Sequence, residues 1–238
     1  MAAARPARAR LGRWPYDDSV AHLVLLDHHM VPTDADVADW LREARDQGVR
    51  LVRTGALFPN ATAAFLDAGF RVADTLTLLS RRAEPSEVPD NAGRPRRSAT
   101  VRVRRLRPSM LGEAAEIDRR SFSSPWSNDT AALADIMNAT PYHRSRSVHL
   151  DGRMVAFSIS GRADRSGYVQ RLAVDPSARR RGFAQLLLDD ALRWTWRREV
   201  SQVMVNTAAD NRAALSLYGS RGFSPLPGSL LILERAVR

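Results

Sequence analysis

A strand that runs through an arginine-rich turn into a leucine-rich helix sets the strongest limit on what this chain can fold into. It reads Val169-Gln170-Arg171-Leu172-Ala173-Val174, then Asp175-Pro176-Ser177-Ala178-Arg179-Arg180-Arg181-Gly182, then Phe183-Ala184-Gln185-Leu186-Leu187-Leu188. Val169, Leu172 and Val174 favour a strand, and Asp175-Pro176 stops it. Phe183, Leu187, Ala191 and Trp194 then recur at helical spacing, with Ala184, Leu188 and Leu192 beside them. A loop whose backbone N–H groups point outward at a helix N-terminus suits a phosphate. Gly182 lets the backbone approach a ligand, and Ala184 is too small to block it. The same residues also fit an ordinary β–α turn with a basic surface.

Composition narrows the class. The chain has 238 residues, 44% of them hydrophobic, which is enough for one large domain or two small ones. It holds no apolar run of about 20 residues, so no membrane span is expected. There is no cysteine, which excludes disulfides, thiolate metal sites and a cysteine nucleophile, and fits a cytoplasmic protein. The net charge is +10, and all 36 basic residues are arginine. Without aromatic side chains interleaved among the arginines, this charge describes a solvated basic face better than a nucleic-acid platform.

In chain order, residues 1–13 read as a disordered basic tail with no secretory core. Residues 21–26 form an apolar strand. His28 and His29 follow it; adjacent residues on a strand point opposite ways, so no metal site is expected there. Val37, Trp40, Leu41 and Ala44 mark a helix that ends at Gly48. Residues 49–54 read as a strand, 60–68 as a helix stopped by Gly69, and 70–79 as one or two strands. Residues 83–98, with Pro85, Pro89, Gly93 and Pro95, read as a linker between a half-domain at 14–82 and a domain at 99–238. In that second part a strand at 100–104 leads to a helix around Ala114 and Ile117. Ser127 or Asn128 caps the next helix, and strands at 148–150 and 154–160 form a hairpin about Asp151-Gly152. Beyond the opening stretch come a strand at 203–207, a helix at 211–220 and a last strand at 230–233.

A shift of 153 residues aligns the two parts. Phe65 falls on Tyr218, Gly69-Phe70 on Gly222-Phe223, and Thr54 on Thr207. The order strand, helix, strand, helix, Gly-Phe, strand therefore occurs twice, as in a degenerate repeat. The first copy lacks the loop arginines and cannot build the same phosphate site.

From residue 100 onward the chain resembles the GCN5-related N-acetyltransferase (GNAT) superfamily. The resemblance is carried by Arg179-x-x-Gly182-x-Ala184, by Asn211-x-x-Ala214-x-x-Leu217-Tyr218 with Gly222-Phe223, and by Ile117-x-x-x-Ser121-Phe122 leading into Pro125-Trp126-Ser127. The last of these looks like the acceptor-side region of ribosomal-protein-alanine N-acetyltransferases. Mycothiol synthases are similar in carrying tandem copies.

The resemblance implies an α/β (α+β) GNAT fold: a mixed, mostly antiparallel twisted sheet with helices on both faces, preceded by a smaller βαβαβ half-domain. It implies acetyl transfer from acetyl-CoA to an amine, on a peptide or a small molecule; a non-catalytic acyl-CoA-binding module is the alternative. The backbone of Leu172, Ala173 and Val174 would pair with the pantetheine arm. The N–H groups of Arg180, Arg181, Gly182, Phe183, Ala184 and Gln185, beside Arg179, would hold the pyrophosphate. Asn211 would bind the cofactor arm, and Tyr218 would protonate the leaving thiolate. Tyr218 also suits simple packing, and Asn211 a helix cap. One position departs from the pattern: Asn206 stands where the ribosomal-protein-alanine enzymes place a glutamate base, and an amide accepts no proton at neutral pH. No metal is implied, and a homodimer stays open.

Overall fold

The computed structural model describes residues 7–27, 30–82, 101–198 and 200–237. The expected linker at 83–98, the histidine pair His28 and His29, and residues 1–6 of the expected tail lie outside them. The described chain forms two compact units. One comprises Met1–Leu78, Asn206–Arg212 and Pro225–Arg238; the other comprises Leu79–Val205 and Ala213–Ser224. These units cut the chain differently from the sequence boundaries, because the last strand counts with the first unit.

In the first unit the strand order is β1 (Ala9–Trp14), β2 (Asp17–Leu25), β3 (Leu51–Thr54), β10 (Ser224–Ala236), β4 (Arg71–Arg82). β1 corrects the reading of residues 1–13 as disordered. It pairs antiparallel with β2 and sets Leu11 opposite Leu23. Its alternation is hidden because Ala9 and Leu11, which turn toward the core, stand among arginines, and the buried Trp14 follows a shift in register. Helix α1 (Asp34–Asp46) buries Val37, Trp40, Leu41 and Ala44, the stripe that its spacing predicts. Burying each large member contributes about 1.5–3 kcal/mol. The expected helix at 60–68 is a 3-10 turn, Pro59–Ala61, followed by the short α2 (Ala63–Asp67).

In the second unit the order is β9 (Gln202–Ala208), β8 (Ser166–Val174), β7 (Arg153–Ala163), β6 (Tyr142–Leu150), β5 (Val101–Arg105). Helices α3 (Leu111–Ser121) and α4 (Thr130–Asn138) cover one face through Ile117, Leu133, Phe157 and Ile159. Helix α5 (Phe183–Trp196) covers the other through Phe183, Leu186 and Leu187, which pack on Val148 and Ala156. Leu188 and Leu192 of α5 join Tyr218 of α6 (Arg212–Gly219) and Phe223 in a third cluster. The cap of α4 is Asp129, whose carboxylate accepts from the Ala132 N–H, rather than Ser127 or Asn128. β6 begins at Tyr142, well before the expected start at 148, because Arg144 and Arg146 break the apolar pattern while pairing with Asp190 of α5. No helix among the described residues is long and apolar enough to cross a membrane.

Candidate active site

The site begins where two parallel strands stop pairing. β8 and β9 pair at Ser166↔Gln202, Gly167↔Val203 and Tyr168↔Met204, and no further. On its other edge β8 stays paired with β7 to the end, apart from a bulge that leaves Gln170 unmatched. The Asp175 N–H donates to the Val155 carbonyl at 2.9 Å, which fixes the hydrogen-bond phase of this ladder. Ala173 therefore spends its backbone groups on Phe157, while Leu172 and Val174 turn theirs to the open edge. The Val174 carbonyl takes the Ser121 hydroxyl at 3.0 Å and Arg179 Nε at 3.5 Å. The open edge thus presents two donors and one acceptor: the N–H groups of Leu172 and Val174 and the Leu172 carbonyl. Of the three residues expected to pair with a pantetheine arm, Ala173 is turned away by the register.

Beyond β8 the chain turns at Asp175, which caps the 3-10 turn Pro176–Ala178. The Ser177 hydroxyl bonds the Asp175 carboxylate at 2.6 Å and, against the effect of burial and with help from the Ser177 N–H and Arg120, holds it below the usual carboxylate range. Arg180 (φ 62) and Gly182 (φ 81) are both left-handed, a pattern that gathers successive N–H groups on one side. Gly182 is the N-cap of α5 and supplies no side chain. The first intrahelical bond runs from Leu186 N to Gly182 O. The N–H groups of Phe183, Ala184 and Gln185 are the uncapped donors at the positive end of the helix dipole, with no acidic residue in the first turn. Arg180 and Arg181 are exposed. Arg179 is not available to a ligand in the same way: besides Val174 its guanidinium bonds the Ser121 carbonyl at 3.1 Å. These residues fit a diphosphate attached to an extended amide-bearing arm.

Tyr218 is 6% exposed, with its ring 5.7 Å from that of Phe223 and its side chain among Val169, Leu188, Val203 and Val205. Burial pushes its phenol up to about 12, against the pull of the Arg171 charge. It is a proton donor at any physiological pH. Asn211 is half-buried; its N–H donates to the Ala208 carbonyl, and α6 starts at the next residue. By compactness Asn211 and the exposed Asn206 belong to the first unit.

Sequence reasoning missed the side chains that brace this edge. Asp118, fully buried on α3, receives Arg171 Nε and Nη2, both at 2.7 Å. Arg120 pairs with Asp175 at 2.8 Å. The available signal was Asp118 itself, a carboxylate on the buried stripe that Leu111, Ala114 and Ala115 define. Asp189 of α5 repeats the pattern, buried and paired with Arg221 at 2.7 Å.

The first copy of the repeat differs at each of these points. β2 and β3 pair through Leu23↔Thr54, and Gly55 N–H then donates to Leu23 O, so the strands stay closed where β8 and β9 part. Helix α1 carries its own anion: Asp36 and Thr33 form a reciprocal capping box. Burial works against the Asp36 carboxylate, but hydrogen bonds from Thr33 keep it below its usual range. Among the described residues no cluster of histidines and carboxylates could hold a metal ion.

Comparison with known proteins agrees with this architecture. The sequence model of the Acetyltransferase (GNAT) family matches residues 111–223. Ribosomal protein bS18-alanine N-acetyltransferase of Salmonella typhimurium is 31% identical over 114 residues, 48% of this chain and 74% of that enzyme. Its Escherichia coli K12 counterpart is 29% identical over 119 residues, 50% of this chain and 78% of that enzyme. Among solved structures, a tandem GNAT protein from the clavulanic acid biosynthesis pathway aligns with a TM-score of 0.70 at 14% identity, covering 98% of this chain and 79% of its own. An open-edged sheet with an uncapped helix behind it defines the fold class, and the chain belongs to the GNAT family of acetyltransferases.

Proposed function

We propose that the chain moves an acetyl group from acetyl-CoA to a primary amine, with the α-amine of a protein or peptide N-terminus as acceptor. Residues 99–238 are the catalytic part in this reading, and 14–82 are a degenerate half-copy that binds no donor. The observation that carries it is the unpaired edge of β8 running into the uncapped start of α5. An acyl-CoA has the matching parts in the matching order: a thioester, an amide-bearing arm and a diphosphate. The peptide acceptor draws support from the relatives, which are named for an alanine amine on a ribosomal protein.

Leu172 and Val174 would hold the pantetheine arm as an added strand. Arg180 and Arg181, with the N–H groups of Phe183, Ala184 and Gln185, would neutralise the diphosphate. Bound donor supplies an activated acyl carbon. As the carbon–nitrogen bond forms and the carbon–sulfur bond breaks, Tyr218 gives its proton to the departing sulfur. The amine loses its own proton to water, and a water proton restores the phenol.

The test has two stages. Acetyl-CoA at 100 times its Kd should stabilise the chain by about 2.7 kcal/mol, read as a rise in melting temperature. Thiol release is then followed with peptides bearing N-terminal alanine and with small-molecule amines. An unmoved melting temperature at millimolar acetyl-CoA removes the donor; turnover of small amines alone replaces the acceptor.

A further inference from the structure

The guanidinium of Arg171 sits at the centre of a loop to which it does not belong. Arg171 lies on β8 next to the bulge at Gln170 and just before the open edge at Leu172. Its forked contact to Asp118 leaves Nη2 bonded also to the Trp126 carbonyl at 2.9 Å. Its carbon lies 3.6 Å from the centre of the Phe122 ring. Asp118 in turn accepts the Asn128 N–H at 2.6 Å. The Asn128 amide, turned so that its oxygen faces the cation, accepts from Arg171 Nη2 and Nε at 3.1 Å. So the beginning, middle and end of residues 122–128 all close on one side chain from the donor strand. Phe122 is half-buried against the α3–α4 cluster, Ser123 and Ser124 are exposed, and Ser127 is buried.

We infer that Arg171, with Asp118, is a positioning residue that fixes the acceptor-side loop 122–128 to the donor strand, so that acceptor affinity depends on this ion pair. The inference rests on the donor-strand and acceptor-loop reading given above. A bidentate fork specifies direction as well as distance, which a lysine ammonium cannot do. The pair is buried, so losing one member leaves the other charged and unmatched. Ser121 and Arg120 extend the connection: the Ser121 hydroxyl bonds Val174 O, and Arg120 bonds Asp175. Loop 122–128, strand β8 and the start of the diphosphate turn are thereby joined through the last turn of α3.

The experiment uses the double variant Arg171→Gln with Asp118→Asn, which removes both charges together, and the single variant Arg171→Lys. Backbone amide exchange is measured with and without acetyl-CoA, and steady-state kinetics with an N-terminal-alanine hexapeptide. In the double variant, exchange at 126–128 should rise on the order of tenfold while the strands keep their protection. Acetyl-CoA should protect both 176–185 and 122–128 in the native chain, and only 176–185 in the double variant. The hexapeptide KM should rise by roughly tenfold to a hundredfold, with the acetyl-CoA KM unchanged. Arg171→Lys should restore melting temperature without restoring the peptide KM. Unaltered exchange at 126–128 in the double variant overturns the inference, as does an unaltered peptide KM. Absent protection of 176–185 in the native chain instead rejects the donor reading, and ligand-free exchange still decides the role of Arg171.

Discussion

Phe65 and Tyr218 occupy the same place in a motif that the chain uses twice. Phe70 N–H donates to the Phe65 carbonyl at 3.0 Å, and Phe223 N–H donates to the Tyr218 carbonyl at 3.1 Å. Between each pair stands a left-handed glycine, Gly69 at φ 82 and Gly222 at φ 74, where a side chain would be strained. The aromatic rings meet in both copies, 5.2 Å apart in the first and 5.7 Å in the second. Only the second carries a hydroxyl.

That substitution joins two other losses in the first copy, the closed β2–β3 pair and the self-capped α1. The expected stoichiometry is one acetyl-CoA per chain, read by titration calorimetry. Phe65→Tyr would return the hydroxyl but neither open the strands nor free the helix, so it should leave the stoichiometry at one. Two donors bound per native chain would show that the first copy is not degenerate.

Tyr218→Phe removes the proposed acid and little else. The hydroxyl makes no hydrogen bond to any described residue, so its loss should change stability by well under about 1 kcal/mol. If the phenol protonates the thiolate, kcat should fall by roughly 10²–10⁴-fold with the acetyl-CoA Kd unchanged. Unchanged turnover would reduce Tyr218 to a packing residue of its cluster.

Much of this site was legible in the sequence, and the illegible part has a physical reason. The β8–turn–α5 unit was readable because strand, Asp-Pro stop, glycine and leucine stripe all agree locally. The Phe65/Tyr218 equivalence was readable as an offset of 153, since Gly-Phe is a strong punctuation mark. By contrast, the pairing of Ala173 with Phe157 depends on hydrogen-bond phase, which residue identity does not encode. The Arg171–Asp118 pair joins residues 53 apart in the chain and has no local signature. β1 and the first half of β6 were missed because their arginines find partners or solvent that the apolar pattern alone does not reveal.

Gly182 should accept a side chain only at a cost in stability. A Cβ there meets nothing closer than Gln185 Oε1 at 3.8 Å, so space is not the difficulty; the φ of 81° is. Gly182→Ala should cost about 1–2 kcal/mol of stability. Gly182→Glu should cost a similar amount and also place a carboxylate at the uncapped end of α5. Acetyl-CoA binding should then fall well beyond the alanine variant, by calorimetry on folded protein. Equal binding by the two variants would take the diphosphate away from this turn.

The phenol of Tyr218 also predicts how stability responds to alkali. Its folded value of about 12 lies above the ordinary tyrosine value of about 10. The folded state therefore holds the proton more tightly, and this contribution is complete below pH 10. It is lost as pH rises from about 10 toward about 12, because the unfolded chain ionises first. Denaturant unfolding should give the native chain and Tyr218→Phe nearly equal stabilities at pH 9, with the native chain falling below the variant at pH 11. A constant difference between them would mean that burial does not raise this group.

The same protonation sets the pH dependence of turnover, and it separates enzyme from substrate. Tyr218 stays protonated through pH 10, so no falling limb below that pH belongs to it. Asn206 offers no base, and among the described residues Asp118, Asp175, Asp189 and Asp190 are each held by an arginine. The rising limb should then follow the acceptor, since an amine must be neutral to attack. An α-amine titrates near about 7.7–8.0 and a lysine-type amine near about 10.4. Profiles of kcat/KM measured with one acceptor of each kind should be displaced by about the difference between those values. At neutral pH this favours the α-amine on the order of a hundredfold or more before any contact with the loop at 122–128 is counted. Asn206→Glu should move the rising limb to lower pH with both acceptors if that position reaches the amine. A limb that stays at one pH whichever amine is used would reveal an enzyme base and reject transfer that depends on the amine alone.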